Sequence, residues 1–325
     1  MAALVLRLVC TNTPTGAVKE NPMNKFMIGA ATAALLIGAT GAMCQGFQMI
    51  DDGAGSRQVV ADGPVTYVLK DTGNIWAREN GQWTQVDDGG GTTLIDASAG
   101  NLYAQKNDGS VWQRKFGQWN RIGNPGTKQL VADSGVLYTL ETNDDVLLFK
   151  DNQWTKLDNG SGSTMIAADR TAQNIQLFVL KNNGSIFHWT GYGMQWEVSD
   201  NGSGTKQIDA SGGMLYALKD TGAIWRMNGA WAQIDDGAGT KQISADGRFF
   251  YALKDNGNIW MFRDERWLQA DNGTGTRQLH ASGGRLVVLK DNGNVFEADG
   301  NSLGNGAPGA PVNTQVANFN QLHND

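Results

Sequence analysis

The side chains able to do chemistry recur at fixed spacing. Aspartates open the pattern Asp-(Asp/Asn)-Gly-x-Gly-(Ser/Thr) at 51–56, 87–92, 158–163, 200–205, 235–240 and 271–276. A second pattern, Lys-Asp-x-Gly-x-Ile-Trp, stands at 70–76, 219–225 and 254–260, with variants at 106–112, 181–187 and 290–296. Together they supply carboxylates, ammonium groups and indole rings in repeated sets. A sugar needs a flat apolar surface under its ring and planar polar groups for its hydroxyls, and such a set has both. On that chemistry the candidate ligand-binding residues are Trp76, Trp112, Trp225, Trp260, Asp87, Asp235, Asp271, Lys219, Lys254 and Asp255.

A structural account of the same residues stands beside the chemical one. Asp and Gly are the residues that tight turns demand. The tryptophans are equally explained as packing between repeats, and copies with Leu148, Phe187 or Phe296 in the Trp position favour packing. Hard cations prefer carboxylate oxygens, which raises calcium. The loops lack an EF-hand pattern and the Gly-Gly-x-Gly-x-Asp nonapeptide, so no metal or cofactor is assigned. For catalysis the sequence offers little. The histidines are His188, His280 and His323, scattered along the chain, and no P-loop, Gly-x-Ser-x-Gly or dinucleotide fingerprint occurs. The aspartates belong to repeated turns, so none stands out as half of an acid–base pair. The expectation is a non-enzymatic protein.

The elements that must position these residues follow from the period. A Trp-led strand recurs at Trp83, Trp119, Trp154, Trp196, Trp231 and Trp267, at intervals of 36, 35, 42, 35 and 36 residues, and Phe47 fills the same slot 36 residues earlier. A degenerate copy of the Lys-Asp pattern, TNDDVLL at 142–148, and a shortened aspartate loop, GNPGT at 123–127, complete the counts. All three series give seven copies. One copy reads TKQISADG, RFFYALK, DNGNIWMF, RDERWLQA from residue 240. That is four short strands with Gly, Asp and Asn turns and no helical periodicity. Seven such units predict an all-β fold, a seven-bladed β-propeller of four-stranded antiparallel blades; the rival is a β-solenoid, whose repeats are usually shorter and less aromatic. Asn-Gly in RENGQW (78–83) and RMNGAW (226–231) predicts type I′ hairpins between third and fourth strands. Blade 1 then begins near Arg57. Blade 7 lacks a Trp-led outer strand, and the unused strand 47–50 is expected to supply it beside 294–298, closing the ring. In this phase the aspartate and Lys-Asp loops share one face. The long fourth repeat, 154–195, carries extra residues at Arg170–Asn174 and around Tyr192, which suit either a binding loop or neutral drift.

These repeats resemble the tectonin and tachylectin group of β-propellers in their length, the Trp-led strand, and the Gly-Leu-Tyr-Ala-Leu then Gly-x-Ile-Trp pattern. The resemblance covers 47–302 and implies carbohydrate or microbial-surface recognition. It carries over no binding residue individually. The leading expectation is a secreted lectin-like propeller with repeated weak sites acting by multivalency on glycans or a cell-surface polysaccharide. The alternative is a protein–protein interaction scaffold using one face and the unusual blades 3 and 4. A propeller enzyme comes third.

The remaining features bear on location and partners. The chain has 325 residues, with 43 Gly, 11 Trp and 6 Pro, and a net charge of −6, which argues against a nucleic-acid partner. Residues 26–43 are the long apolar run; with Met23, Asn24 and Lys25 before it and Thr40 and Ala42 at its end, 23–45 reads as a secretory signal peptide. Residues 1–22 then read as an upstream extension or a start-site error. An uncleaved membrane anchor at 26–43 and a lipoprotein cysteine at Cys44 are the alternatives. Cys10 and Cys44 precede the repeats, so the folded part has no disulfide. The Gly-, Asn- and Pro-rich segment 303–325 reads as a disordered tail. Asn-Gly-(Ser/Thr) sequons at Asn159, Asn183, Asn201 and Asn272 matter only in a eukaryotic secretory pathway.

Overall fold

Short runs of β-branched and aromatic residues between glycine turns pair with their neighbours in the chain as antiparallel hairpins. The computed structural model describes residues 46–303, except 54, 124–125, 159, 161, 171–174, 191–194, 201, 203, 238 and 274. In it, 28 strands form seven four-stranded antiparallel sheets, and no helix occurs among the described residues. Blades 1 to 6 span 56–87, 92–123, 127–158, 163–200, 205–235 and 240–271, each in the strand order of the chain. In blade 6 the strands are Thr240–Asp246, Phe249–Lys254, Ile259–Arg263 and Arg266–Asp271. The first strands of all seven blades line one central channel.

Blade 7 is closed as expected. Gln48–Asp51 pairs antiparallel with Val295–Asp299, outside Arg285–Lys290 and Thr276–Ser282. A strand from one end of the repeat array thus completes a blade at the other, and blade 7 has four strands like the rest. Phe47 packs into the cluster between blades 6 and 7, in the place where other blades put Trp.

The core is a ring of seven clusters, one at each blade junction. Between blades 1 and 2, for example, Val60, Leu69 and Ile75 meet Ile95, Leu102 and Ala104. Second strands are therefore buried on both faces and lose the usual alternation; Asn101–Gln105 is buried throughout. Each large aliphatic side chain so buried contributes about 1.5–3 kcal/mol. A bulge between first and second strands recurs in every blade, and it sharpens the twist that stacks the blades. Where the bulged residue is basic, it ties blades together. Arg57, Lys128, Lys206 and Lys241 each donate to the backbone carbonyl that opens the next blade, at 2.6–2.9 Å, and Arg277 of blade 7 does the same to Ser56.

Three local expectations are corrected. The Asn80–Gly81 turn has both residues at positive φ, as type I′ requires, but in the second hairpin only Gly229 is left-handed. That hairpin is one residue shorter, so Asn228 joins the ladder opposite Ala230. In blade 3, Leu147, not Leu148, occupies the third-strand Trp position: Thr139 faces Leu147 just as Ala252 faces Trp260. Leu303, assigned to the tail, is fully buried in the blade 6–7 cluster. The segments read as leader, anchor and upstream extension, the rest of the tail, and the extra residues 171–174 and Tyr192 of blade 4 lie outside the described residues.

Candidate functional site

The two charged loops of each repeat meet on one face because strands alternate in direction. In blade 6, Asp235 arrives from the previous outer strand. Its Oδ1 accepts from the Gly237 amide at 2.8 Å, and its Oδ2 accepts from Lys254 Nζ at 2.5 Å. Lys254 Nζ also donates to Thr240 Oγ1 at 2.7 Å. The Asp255 amide donates to the Gly239 carbonyl at 2.6 Å, fixing one loop against the other. The same Asp–Lys–hydroxyl tie holds Asp51–Lys70–Ser56, Asp87–Lys106–Thr92, Asp158–Lys181–Ser163, Asp200–Lys219–Thr205 and Asp271–Lys290–Thr276.

This places most of the candidate charges in turns and not on an open surface. Asp87, Asp235, Lys219 and Lys254 are each engaged inside a tie, and Asp271 is fully buried. An ammonium already occupies the carboxylate oxygen that a cation would use. Among the described residues, no group of three or more His, Cys, Asp or Glu is arranged to hold a metal.

The tryptophans divide into two classes. Those leading fourth strands are structural: Trp83, Trp119, Trp154, Trp196, Trp231 and Trp267 donate Nε1–H to carbonyls of Ile50, Val86, Ile122, Leu157, Ser199 and Ile234 on the preceding outer strand, at 2.6–3.1 Å. The third-strand candidates are all half-buried. Trp225 packs on the blade 4–5 cluster, and Trp112 donates to Ser110 Oγ at 2.9 Å. Trp76 lies in the third strand of blade 1, opposite Val68 and Gln85. Trp260 is different. With Trp267, Asp235, Lys254, Asp255 and Asn256 it lines a cleft of about 370 Å³ at the blade 5–6 junction. Four of the ten candidates thus converge there.

A second cleft of about 610 Å³ opens at the equivalent place between blades 2 and 3. Its composition departs from the repeat at three positions, while the hydroxyl (Thr127) and the fourth-strand Trp (Trp154) are kept. Gly123 stands where other blades have Asp, pairing with Val111 as Asp235 pairs with Ile224. Glu141 replaces the lysine, opposite Thr127, and Leu147 replaces Trp. Glu141 Oε1 accepts from Thr127 Oγ1 at 3.0 Å, a bond that comes from a hydroxyl and not from a cation. Val111, Ile122, Leu147 and Trp154 supply apolar wall, and Arg121, which is engaged in an interaction of its own, lines the cleft with them. These residues were missed by motif reasoning. The signal was available as a charge reversal at the lysine position of a copy treated only as degenerate.

Polar side chains of the channel, about 360 Å³, bind blades to one another. Gln58, Gln129, Gln207 and Gln242 each bridge to backbone of the next blade with both amide atoms, as Gln278 does to blade 1. Asp96 and Asp209 accept from the Ala132 and Ala245 amides, Ser244 accepts from Ala281, and His280 Nδ1 accepts from Ala61. Nδ1 being an acceptor, the neutral ring carries its proton on Nε2, which stands 4.0 Å from Asp96 Oδ1. Burial dominates here. It pushes Asp96 and Asp209 up to about 7 and His280 down to about 4.

No family model matches the chain, and no curated protein sequence matches it. Solved structures do. YCF48 bound to D1 peptide superposes with a TM-score of 0.61 at 12% identity, over 80% of this chain and 99% of that one. PorZ of Porphyromonas gingivalis, an essential bacterial surface component of the type-IX secretion system, gives 0.61 at 10% identity over 77% of this chain. The chain spans only 37% of the length of PorZ. Yeast RCC1 (Prp20), in its structure with Kap60, gives 0.56 at 10% identity, over 87% and 96% of the two chains. At these identities the likeness is one of fold.

Proposed function

We propose that the chain is a non-enzymatic protein-interaction propeller that receives a peptide segment of its partner at the blade 2–3 cleft. The observation that carries this reading is the departure of that junction from the repeat. At six positions the charged loop residues are bonded to one another, so they offer a ligand little. At the seventh the tie is dismantled, its lysine becomes Glu141, and the space holds a volume typical of ligand sites. Propellers of similar fold, YCF48 bound to D1 peptide and RCC1 bound to Kap60, lend support by analogy of fold.

A second reading is the lectin of tectonin or tachylectin type. It rests on the blade 5–6 cleft, where Trp260 and Trp267 stand beside Asp235, Asp255 and Asn256. We rank it second because Asp235 and Lys254 are already paired, and because the corresponding cleft in blade 3 has lost both Trp and Asp. A calcium-dependent variant of this reading would need the Lys254 ammonium to be displaced. Export through the apolar segment at 26–43 is part of the proposal, which places the partner outside the cytoplasm; among the described residues no helix is long and apolar enough to cross a membrane.

The test is to display the intact chain against a peptide array and a glycan array in parallel, with and without a calcium chelator. Saturable peptide binding that is lost in Leu147→Trp, with no coherent sugar class bound, supports the reading. A coherent sugar class bound without any peptide overturns it.

A further inference from the structure

We infer that the blade 2–3 cleft recognises a basic side chain, a lysine or arginine of the bound peptide, through Glu141. This rests on the peptide-binding reading and names what the site selects. In the six regular loops a lysine ammonium sits between an Asp Oδ2 and a Thr or Ser hydroxyl, as Lys254 does between Asp235 and Thr240 at 2.5 and 2.7 Å. In the seventh the hydroxyl is kept as Thr127 and the carboxylate is kept, but moved to the position of the lysine. The ammonium is gone from the chain itself. The acceptors of the tie remain, facing a cleft, and a cation delivered from outside restores the arrangement the fold makes six times over.

The walls fit the stem of such a side chain. Lysine and arginine carry apolar methylenes behind the charge and lay them on apolar surface. Leu147, Val111 and Trp154, which line the cleft with Glu141, provide that surface. Gly123 contributes by absence. A Cβ there would lie 3.1 Å from Trp154 Cζ2 and 3.4 Å from Val111 Cβ, so any larger residue would press into this wall. Leu147 in place of Trp removes further bulk. Charge selects the same class of ligand. An acidic side chain would meet Glu141 with like charge, and a neutral one would leave the carboxylate without a cation.

The experiment labels the intact chain with 5-fluorotryptophan and assigns the Trp154 fluorine resonance with Trp154→Phe. The probes are the blocked tripeptides acetyl-Ala-Lys-Ala-amide and acetyl-Ala-Arg-Ala-amide, with norleucine or glutamate at the centre as controls. The lysine and arginine probes are expected to shift the Trp154 signal saturably, with the norleucine probe at least roughly tenfold weaker, the value of one charge-assisted hydrogen bond. Glu141→Gln keeps size and the Thr127 contact and should erase that difference. Leu147→Trp inserts the residue that four other blades carry and should abolish the shift while thermal unfolding stays close to wild type. Equal binding of norleucine and lysine probes overturns the inference but leaves a peptide site. Absence of any Trp154 shift with all four probes overturns it as well, and array binding of longer neutral or acidic peptides then decides separately whether the peptide reading survives.

Discussion

Lysine 290 gives the sharpest test of the claim that the repeated charges are structural. Its Nζ is 3.0 Å from Asp271 Oδ2 and 2.7 Å from Thr276 Oγ1, with the Lys and Asp side chains 9% and 0% exposed. Lys290→Met removes both bonds and leaves the Asp271 carboxylate buried, with the Gly273 amide as its remaining donor at 2.8 Å. Breaking a buried pair by deleting one partner costs about 3–5 kcal/mol. For a fold of this size that corresponds to a fall in Tm of about 6–20 °C. Lys156→Met is the control: its ammonium is half exposed in an ion pair with Asp145, and its loss should be nearly silent. The double variant Asp271→Asn/Lys290→Met removes the stranded charge while Asn keeps an acceptor for Gly273, so it should be more stable than Lys290→Met alone. Urea unfolding followed by tryptophan fluorescence, with calorimetry for Tm, reads all four proteins. If Lys290→Met is no worse than Lys156→Met, or the double variant is the least stable, the tie is not what holds these loops.

Two other outcomes follow from the channel and the turns. Asp96 and Asp209 are held up to about 7 from 3.8, so the folded protein keeps protons the unfolded chain has lost, and their contribution falls as pH rises through that window. His280 is pushed down to about 4 from 6.5, so its contribution is lost as pH falls from 6.5 toward 4. His280→Asn keeps an acceptor for the Ala61 amide and removes the second effect alone; relative to wild type its stability should rise by about 1.4 kcal/mol per pH unit on acidification between these limits, measured by urea melts, and a parallel pair of curves would contradict the assignment. Gly73→Ala would place a Cβ 2.4 Å from the Gly91 amide nitrogen at φ +86°, and should cost on the order of 3 kcal/mol, against about 1 for Gly63→Ala, which meets nothing within 4 Å.

The architecture was legible because the repeat is written three times over. Trp spacing, Lys-Asp-x-Gly loops and aspartate loops all gave seven, and turn chemistry set the phase well enough to place the closing strand opposite Val295–Asp299. What one-dimensional spacing did not reveal is who bonds to whom. Asp235 and Lys254 lie 19 residues apart in the sequence, and only the return of the second strand brings Nζ onto Oδ2. Once paired, they stop being a free polar set. The Trp residues of fourth strands bond to carbonyls 32–39 residues away, a contact between blades that no local pattern contains. The 2–3 cleft was overlooked for the opposite reason. Its residues fail the motif, and a search by motif discards them, although the change from Lys to Glu at 141 was visible without any structure.

The measurement that most directly tests the account is the binding stoichiometry of the intact chain, by titration calorimetry with the ligand the arrays select. A peptide binding at one equivalent per chain, with affinity lost in Leu147→Trp and unchanged in Trp260→Phe, is the predicted result. Several equivalents of a sugar per chain, insensitive to Leu147→Trp and weakened by Trp260→Phe, would contradict it and return the function to the repeated junctions.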